Sequence, residues 1–545
     1  MLQGCVPWPE EYAKYYREQG YWEDKTLSEV LDLSINKHGS KEALVFNKMR
    51  LSYTQLGEII DRLAYQFLQI GLKPLDRVVI QLPNGPEFIY SYFALIKIGV
   101  IPILALAPHR KGEISHFIKF SGTVGYIIPD IYRKFNYIAM AREIKNLNQK
   151  LKYVFVSGSS PSEFISLNKL LEAPIDKKEI QETLAKYRPD PDEVALMVLS
   201  GGTTALPKMI PRTHNDYVCI TKYASRVGRF DEHTRMLVTL PIAHNYMVCS
   251  PGFQGVLFSG GKVVISPGTD INTIFSLVEK EQITFLSVAP PIITNWLKSN
   301  ILSHYNYSSI KVVQTGGARL APELRAQVRE RFGCFVMESY GSGEGVLNMV
   351  RLDASEHAIL NSSGKPVCPA DETKIIDENG NELPDGETGE LLIRGPYTIR
   401  GYYNSPALNA VAFTPDGFYR MGDRCRKDKD GYIYFESRIK ELINRGGEKI
   451  SCEEIETLIF AHPKVKAVCL VAVPDEVYGE KACACVQLNP GEELSFEELI
   501  KFLMTCNLAK FKLPEKLLII DEFPMTASGK VLKRKLKEIA VEQSN

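Results

Sequence analysis

The sequence predicts an α/β protein, with a large N-terminal domain of parallel βα subdomains that includes a small β subdomain, and a small α+β C-terminal domain. Three observations predict this. Continuous apolar runs such as Val194 to Leu199 alternate with helix-length amphipathic segments, the pattern of parallel strands covered on both faces. From about Asp371 the texture turns to short strands between glycines, as in Gly389-Glu-Leu-Leu-Ile-Arg-Gly395. After the charged stretch Glu436-Ser-Arg-Ile-Lys-Glu441, the rest of the chain has the mixed pattern and length of a separate small domain. The expected division is therefore residues 1–439 and 440–545, with the β subdomain beginning near 371.

The elements follow in order. Thr26 and Glu29 form a capping box before Leu27, Val30, Leu31 and Ile35, and Gly39 closes that helix. Ser52 and Gln55 open a second helix, lined by Leu56, Ile59, Ile60, Leu63 and Phe67 and ended by Gly71. Arg77 to Leu82 reads as a β-branched strand. Tyr90 to Ala107 is the most membrane-like stretch, but Lys97, Gly99 and Pro102 interrupt it, so it reads as a buried helix followed by a strand. Further strands are expected at Val124 to Pro129, Tyr153 to Val156, Val194 to Leu199, Met236 to Leu240, Val263 to Ile265, Ile283 to Val288 and Val312 to Gln314.

Composition narrows the function classes. The 545 residues carry 65 Lys plus Arg against 65 Asp plus Glu, so no global charge advertises nucleic acid, and 45% apolar content argues against disorder. Eleven scattered cysteines suggest reduced thiols and a cytoplasmic protein rather than a disulfide framework. Cys483 and Cys485 share one strand face in a C-x-C but lack zinc-site spacing. Cys5 resembles a lipoprotein cleavage box without a charged or apolar region before it, so no membrane attachment is expected.

The segment from Leu199 to Lys208 carries the first chemical signal. Gly201 and Gly202 allow close backbone approach to phosphate oxygens, Ser200, Thr203 and Thr204 add hydroxyls, and Lys208 adds a point charge. By itself such a loop is equally a surface turn, and it lacks Walker spacing. Four more segments follow in order: Ser339-Tyr-Gly-Ser-Gly-Glu344, Tyr419-Arg-Met-Gly-Asp423, Arg438 to Lys449, and Pro524-Met-Thr-Ala-Ser-Gly-Lys530.

Together these segments resemble the adenylate-forming superfamily, and the resemblance covers nearly the whole chain. Pro7 to Tyr12, Tyr16 to Tyr21, Ile210 to His214 and Ala243 to Tyr246 are most similar to the stand-alone 2,3-dihydroxybenzoate–AMP ligases of siderophore biosynthesis. The resemblance implies ATP-dependent adenylation of an aryl acid with pyrophosphate release. Transfer to the phosphopantetheine thiol of an aryl carrier protein in trans would follow, in siderophore or nonribosomal peptide biosynthesis. It also implies that the β subdomain is barrel-like and the C-terminal domain mobile.

Residue by residue, the resemblance makes Lys530 and His244 the catalytic residues, with Lys530 balancing charge between two anions that repel. It assigns Glu344 to Mg²⁺, a hard oxygen ligand for a hard cation. Asp423 accepts the ribose hydroxyls with Arg438 nearby, and Gly316, Gly317 and Tyr340 flank the adenine. Lys440 matches the hinge, with Gly447 and Lys449 serving the thiol step. The acid pocket is read as Asn245, Ser250, Ala318, Ser339 and Leu347. A neutral Asn245 suits an ortho hydroxyl, where amino-acid-activating relatives place an Asp. Ser250 suits a meta hydroxyl, which favours 2,3-dihydroxybenzoate over salicylate.

Some positions depart from the family pattern. Ala205 and Ser437 replace glycines, Leu347 is bulkier than the usual Val, and Ser339 replaces an apolar Val, which suits a more polar ring such as a hydroxypicolinate. A salicylate or hydroxypicolinate ligase and an aryl- or acyl-CoA ligase remain the alternative enzymes. A nucleic-acid-binding relic is the non-enzymatic one, resting on the basic run Lys530, Lys533, Arg534, Lys535 and Lys537.

Overall fold

The computed structural model describes residues 1–200, 207–439, 442–445, 448–475, 478–506, 512–526 and 530–543, with backbone alone at Asn444, Glu448, Lys449 and Gly479. Two large, mainly parallel sheets form its body. In the first, the strands run in the order Met209–Thr213, Val194–Leu199, Ile101–Leu104, Arg77–Ile80, Gly125–Pro129, Tyr153–Ser157 and Ile165–Ser166. In the second, Glu42–Phe46 and Met49–Ser52 form a hairpin at one edge, beside Lys262–Ile265, Arg235–Val238, Phe285–Val288, Val312–Gly316 and Phe335–Ser342. Val346–Met349 and Lys365–Pro366 complete the other edge as antiparallel strands.

The expected strands of the body are all present, with ends displaced by up to two residues. The strand predicted over Met236 to Leu240 runs Arg235–Val238, because Thr239 turns its hydroxyl onto the Ser287 carbonyl and the chain bends into Pro241. Both capping boxes form as read, and Gly71 ends its helix with φ +108. The antiparallel edges were not anticipated. Pro211 suits the edge strand Met209–Thr213, since a residue without an N–H is tolerated there.

Between the sheets lies helix Pro86–Lys97, buried along nearly its whole length, which explains an apolar pattern without a polar face. Lys97 is accommodated at its end by Asp32 at 2.9 Å and Asp61 at 2.6 Å. Among the described residues no helix is long and apolar enough to cross a membrane.

The β subdomain expected from residue 371 is an antiparallel meander of Glu372–Ile376, Thr388–Arg394, Tyr419–Lys427 and Ile433–Arg438. The smaller C-terminal domain has its own sheet, in which Val465–Asp475 and Gly479–Leu488 pair over most of their length. Two apolar clusters composed only of residues from Ile443 onward fill it. Cys483 and Cys485 share one face there, packed with Cys469, Val471 and Phe523.

Candidate active site

Ser200, Gly317 and Glu344 follow closely on the strand ends Leu199, Gly316 and Ser342. Gly201, Gly202, Thr203 and Thr204 lie outside the described residues. Their stem is closed from both sides, since the Lys208 N–H donates to Ser200 Oγ at 2.9 Å and the Ser200 N–H to the Lys208 carbonyl at 3.0 Å. The Lys208 ammonium lies 4.6 Å from the centre of the Tyr402 ring. The Tyr402 hydroxyl donates to Glu344 Oε1 at 2.8 Å and lies 3.2 Å from the Tyr419 hydroxyl. Glu344 is only 6% exposed, so its carboxylate is fixed rather than solvated. Sequence reading found Lys208 and Glu344 but missed Tyr402, the ring that joins them.

A second group lies where the meander meets the parallel sheet. Asp423 and Arg438 face each other on adjacent strands, with Arg438 Nε 3.2 Å from Asp423 Oδ1. The Tyr340 hydroxyl donates to Asp423 Oδ2 at 2.5 Å, and the Tyr340 ring packs 5.8 Å from Phe435. Asp423 has 0% exposure, with the Tyr340 hydroxyl on one carboxylate oxygen and the Arg438 guanidinium beside the other. Gly316 ends its strand paired with Ser339, the neighbour of Tyr340. A Cβ there would meet the Ser339 carbonyl at 2.7 Å and the Tyr246 ring at 3.3 Å, so only glycine fits. Gly317, with φ +82, and Ala318 are exposed beyond it.

The third group surrounds the short helix Asn245–Cys249. His244 caps it, its Nδ1 accepting from the Tyr246 N–H at 3.2 Å. Protein packed around the ring, and then the Lys530 ammonium, hold the His244 pKa down to about 4, although part of the residue reaches solvent. His244 is therefore neutral at pH 7, and the C-terminal Lys530 lies within electrostatic reach of it. The Lys530 N–H donates to Thr526 Oγ1 at 3.0 Å. Asn245 Oδ1 accepts from the Tyr217 hydroxyl at 2.7 Å and from Cys249 Sγ at 3.6 Å, which leaves the Nδ2 hydrogens as its outward donors.

The departure at Ser339 has a structural reason. The buried Gln314 amide donates to the Ser250 carbonyl and to Ser339 Oγ, both at 2.7 Å, and accepts from Ser287 Oγ at 2.8 Å. Ser339 thus satisfies an amide N–H that an apolar residue would leave unmatched. Ser250 Oγ lies 3.8 Å from Cys249 Sγ, and Leu347 is buried. Gln314, Ser287 and Tyr217 escaped sequence reading. Lys440 and Gly447 lie outside the described residues, and Lys449 is placed by its backbone alone, opposite Asn444.

Residues 31–403 match the family described as AMP-binding enzyme, and residues 454–530 match the AMP-binding enzyme C-terminal domain. The chain is 40% identical over 543 residues to the 2,3-dihydroxybenzoate-AMP ligase of Bacillus subtilis (strain 168), covering 100% of this chain and 99% of that one. It is 38% identical over 539 residues to a salicylyl-CoA synthase / salicylate adenylyltransferase of a Streptomyces species, covering 98% of each. Among solved structures, the Mycobacterium smegmatis MbtA apo structure matches with TM-score 0.74 at 35% identity over 98% of each chain.

Proposed function

The chain belongs to the AMP-binding enzyme family, and from that premise we propose that it activates an aryl carboxylic acid, 2,3-dihydroxybenzoate, as the aryl-adenylate. The acid's carboxylate oxygen attacks the α-phosphorus of ATP, the α–β bridging bond breaks, and pyrophosphate leaves. A phosphopantetheine thiol then attacks the acyl carbon and releases AMP. Asn245 is the observation that carries the substrate class. Its amide oxygen is already bonded to Tyr217, so a neutral N–H donor is left to face the pocket. That donor suits the oxygen of an ortho hydroxyl and offers an α-ammonium nothing to pair with.

The residues take the following roles. Ser200, the glycine and threonine hydroxyl loop after it, and Lys208 bind the phosphates; Asp423 and Arg438 bind the ribose; Gly316, Gly317 and Tyr340 flank the adenine. Ser250, Ala318, Ser339 and Leu347 shape the ring pocket. Lys530 offsets the charge that two approaching anions build up. Neutral His244 beside it adds no second cation to compete for the carboxylate. A single rigid carboxylate, linked through Tyr402 to Lys208, fits the donor set of Mg²⁺, which prefers one or two carboxylates plus substrate phosphate oxygens. Glu344 would hold that ion, which when bound would neutralise phosphate charge. The chain divides at Lys440 into residues 1–439 and 440–545, and rotation there replaces Lys530 with the Gly447 to Lys449 segment for the thiol step.

The acceptor is an aryl carrier protein in trans, in a cytoplasmic siderophore or nonribosomal peptide pathway. Free CoA is the second reading, favoured by the relative named for salicylyl-CoA synthesis. ATP–pyrophosphate exchange across benzoates, salicylates and hydroxypicolinates tests the substrate. We expect the highest kcat/KM with 2,3-dihydroxybenzoate and a drop of at least ~100-fold with benzoate, because a site built to bond a hydroxyl rejects the analogue lacking it. Faster exchange with α-amino acids than with any hydroxybenzoate would overturn the assignment.

A further inference from the structure

Arg212 is one of the largest fully buried side chains of the protein, and no role in the reaction has yet fallen to it. It sits on the edge strand that returns from the phosphate loop. Its guanidinium spreads over three separate segments. Nε donates to Asp216 Oδ1 at 2.8 Å, Nη1 to the Gly343 carbonyl at 2.9 Å, and Nη2 to the Tyr397 carbonyl at 3.0 Å. Asp216 balances the charge and is itself held by the Thr213 N–H at 2.8 Å and hydroxyl at 3.1 Å.

Two of those three segments build the Glu344 site. Gly343 immediately precedes Glu344, and Tyr397 begins the stretch that reaches Tyr402. The same two segments meet directly. The Ile399 N–H donates to the Glu344 carbonyl at 2.9 Å, and Tyr402 holds the Glu344 carboxylate. The Tyr397 carbonyl presses so close to Gly345 that a Cβ there, at φ +98, would lie 1.8 Å from its oxygen. One buried cation therefore fastens the Glu344 turn to the loop that orients it.

We infer that Arg212 is a positioning residue for the metal–phosphate end of the nucleotide site, acting through Glu344 and Tyr402 rather than by touching the nucleotide. The inference rests on the adenylation reading for its ligand but not for its geometry. Only a planar fork with several fixed donors reaches three acceptors on three segments; a lysine ammonium is one point. Arg212→Lys thus keeps the charge and loses the clamp.

Calorimetric titration of ATP into the enzyme without aryl acid, with Mg²⁺ and with EDTA, tests this. Arg212→Lys should weaken Mg²⁺-ATP binding by ~10-fold or more yet bind metal-free ATP like the wild type. The doubly substituted Arg212→Lys, Glu344→Gln protein should lose no more than Glu344→Gln alone, as expected of residues acting through one group. Equal losses with and without Mg²⁺, or additive losses, would overturn the inference. Val278→Ala, a core change in helix Ile271–Glu281, controls for lowered stability and should retain wild-type affinity. Hydrogen exchange of the ligand-free protein separates this inference from the functional reading. Should wild type bind no Mg²⁺-ATP, the adenylation reading fails, while faster exchange of the Ile399 amide in Arg212→Lys still supports the clamp and unchanged protection refutes it.

Discussion

Asp423 has no exposed surface; the Tyr340 hydroxyl donates to one of its oxygens and the Arg438 guanidinium lies 3.2 Å from the other. Hydrogen bonds to a charged group stabilise by about 1.5–3 kcal/mol, so Tyr340→Phe should lower the unfolding free energy in urea by roughly 2 kcal/mol. Stability equal to the wild type would show that the bond does not form in solution. Asp423→Asn keeps the shape but weakens acceptance of a diol, and is expected to raise KM for ATP by ~10-fold or more. The KM for the aryl acid should stay unchanged. Motif residues such as Asp423, Glu344 and Lys208 were legible because each sits in a short segment of fixed order. Tyr402, Gln314 and Arg212 were not, since each acts on residues brought close only by the fold. Arg212 reaches Gly343 across 131 positions, and nothing local marks such a partner.

At the scale of elements, the stretch from Pro396 to Asn404 is held from several sides. The Trp22 indole N–H donates to the Pro396 carbonyl at 2.8 Å, and the Asn404 N–H donates to the Gly4 carbonyl at 2.9 Å. Trp22 and Gly4, on either side of the aromatic motifs of the N-terminus, thus buttress the loop bearing Tyr402. Trp22→Phe leaves a buried carbonyl unmatched and should cost about 1–3 kcal/mol of stability by urea unfolding. The Tyr397 hydroxyl in the same loop donates to Asp371. Burial pushes the Asp371 carboxyl up to about 8, so the folded chain keeps a proton that the unfolded chain, with an ordinary Asp near 3.9, releases. That contribution is fully present below about pH 4 and is lost as pH rises towards 8. Between pH 5 and 7 the wild type should lose up to ~1.4 kcal/mol per pH unit relative to Asp371→Asn. Parallel stability curves for the two proteins would show an ordinary carboxyl. Helix starts were readable because a capping box is a four-residue signal; the antiparallel edge strands were not, because pairing direction depends on distant partners.

Across the whole molecule, equal numbers of acidic and basic residues conceal a local arrangement. Lys208 comes from the return of the phosphate loop, Arg438 from the meander, and Lys530 from the C-terminal domain, which reaches back far enough to influence His244. The α/β class and the small last domain were legible from apolar runs and a change of texture. How the strands divide between two sheets was not, since the hairpin of Glu42–Phe46 and Met49–Ser52 joins a sheet whose remaining strands begin at Arg235, across the whole of the first sheet. In the proposed mechanism one lysine on the C-terminal domain serves adenylation and withdraws for thiol transfer. Its most direct test is Lys530→Ala, assayed separately for 2,3-dihydroxybenzoate-dependent ATP–pyrophosphate exchange and for thioester formation from supplied aryl-adenylate. Exchange should fall by at least ~100-fold with thioester formation near the wild-type rate; equal loss of both half-reactions would contradict a lysine that acts only in adenylation.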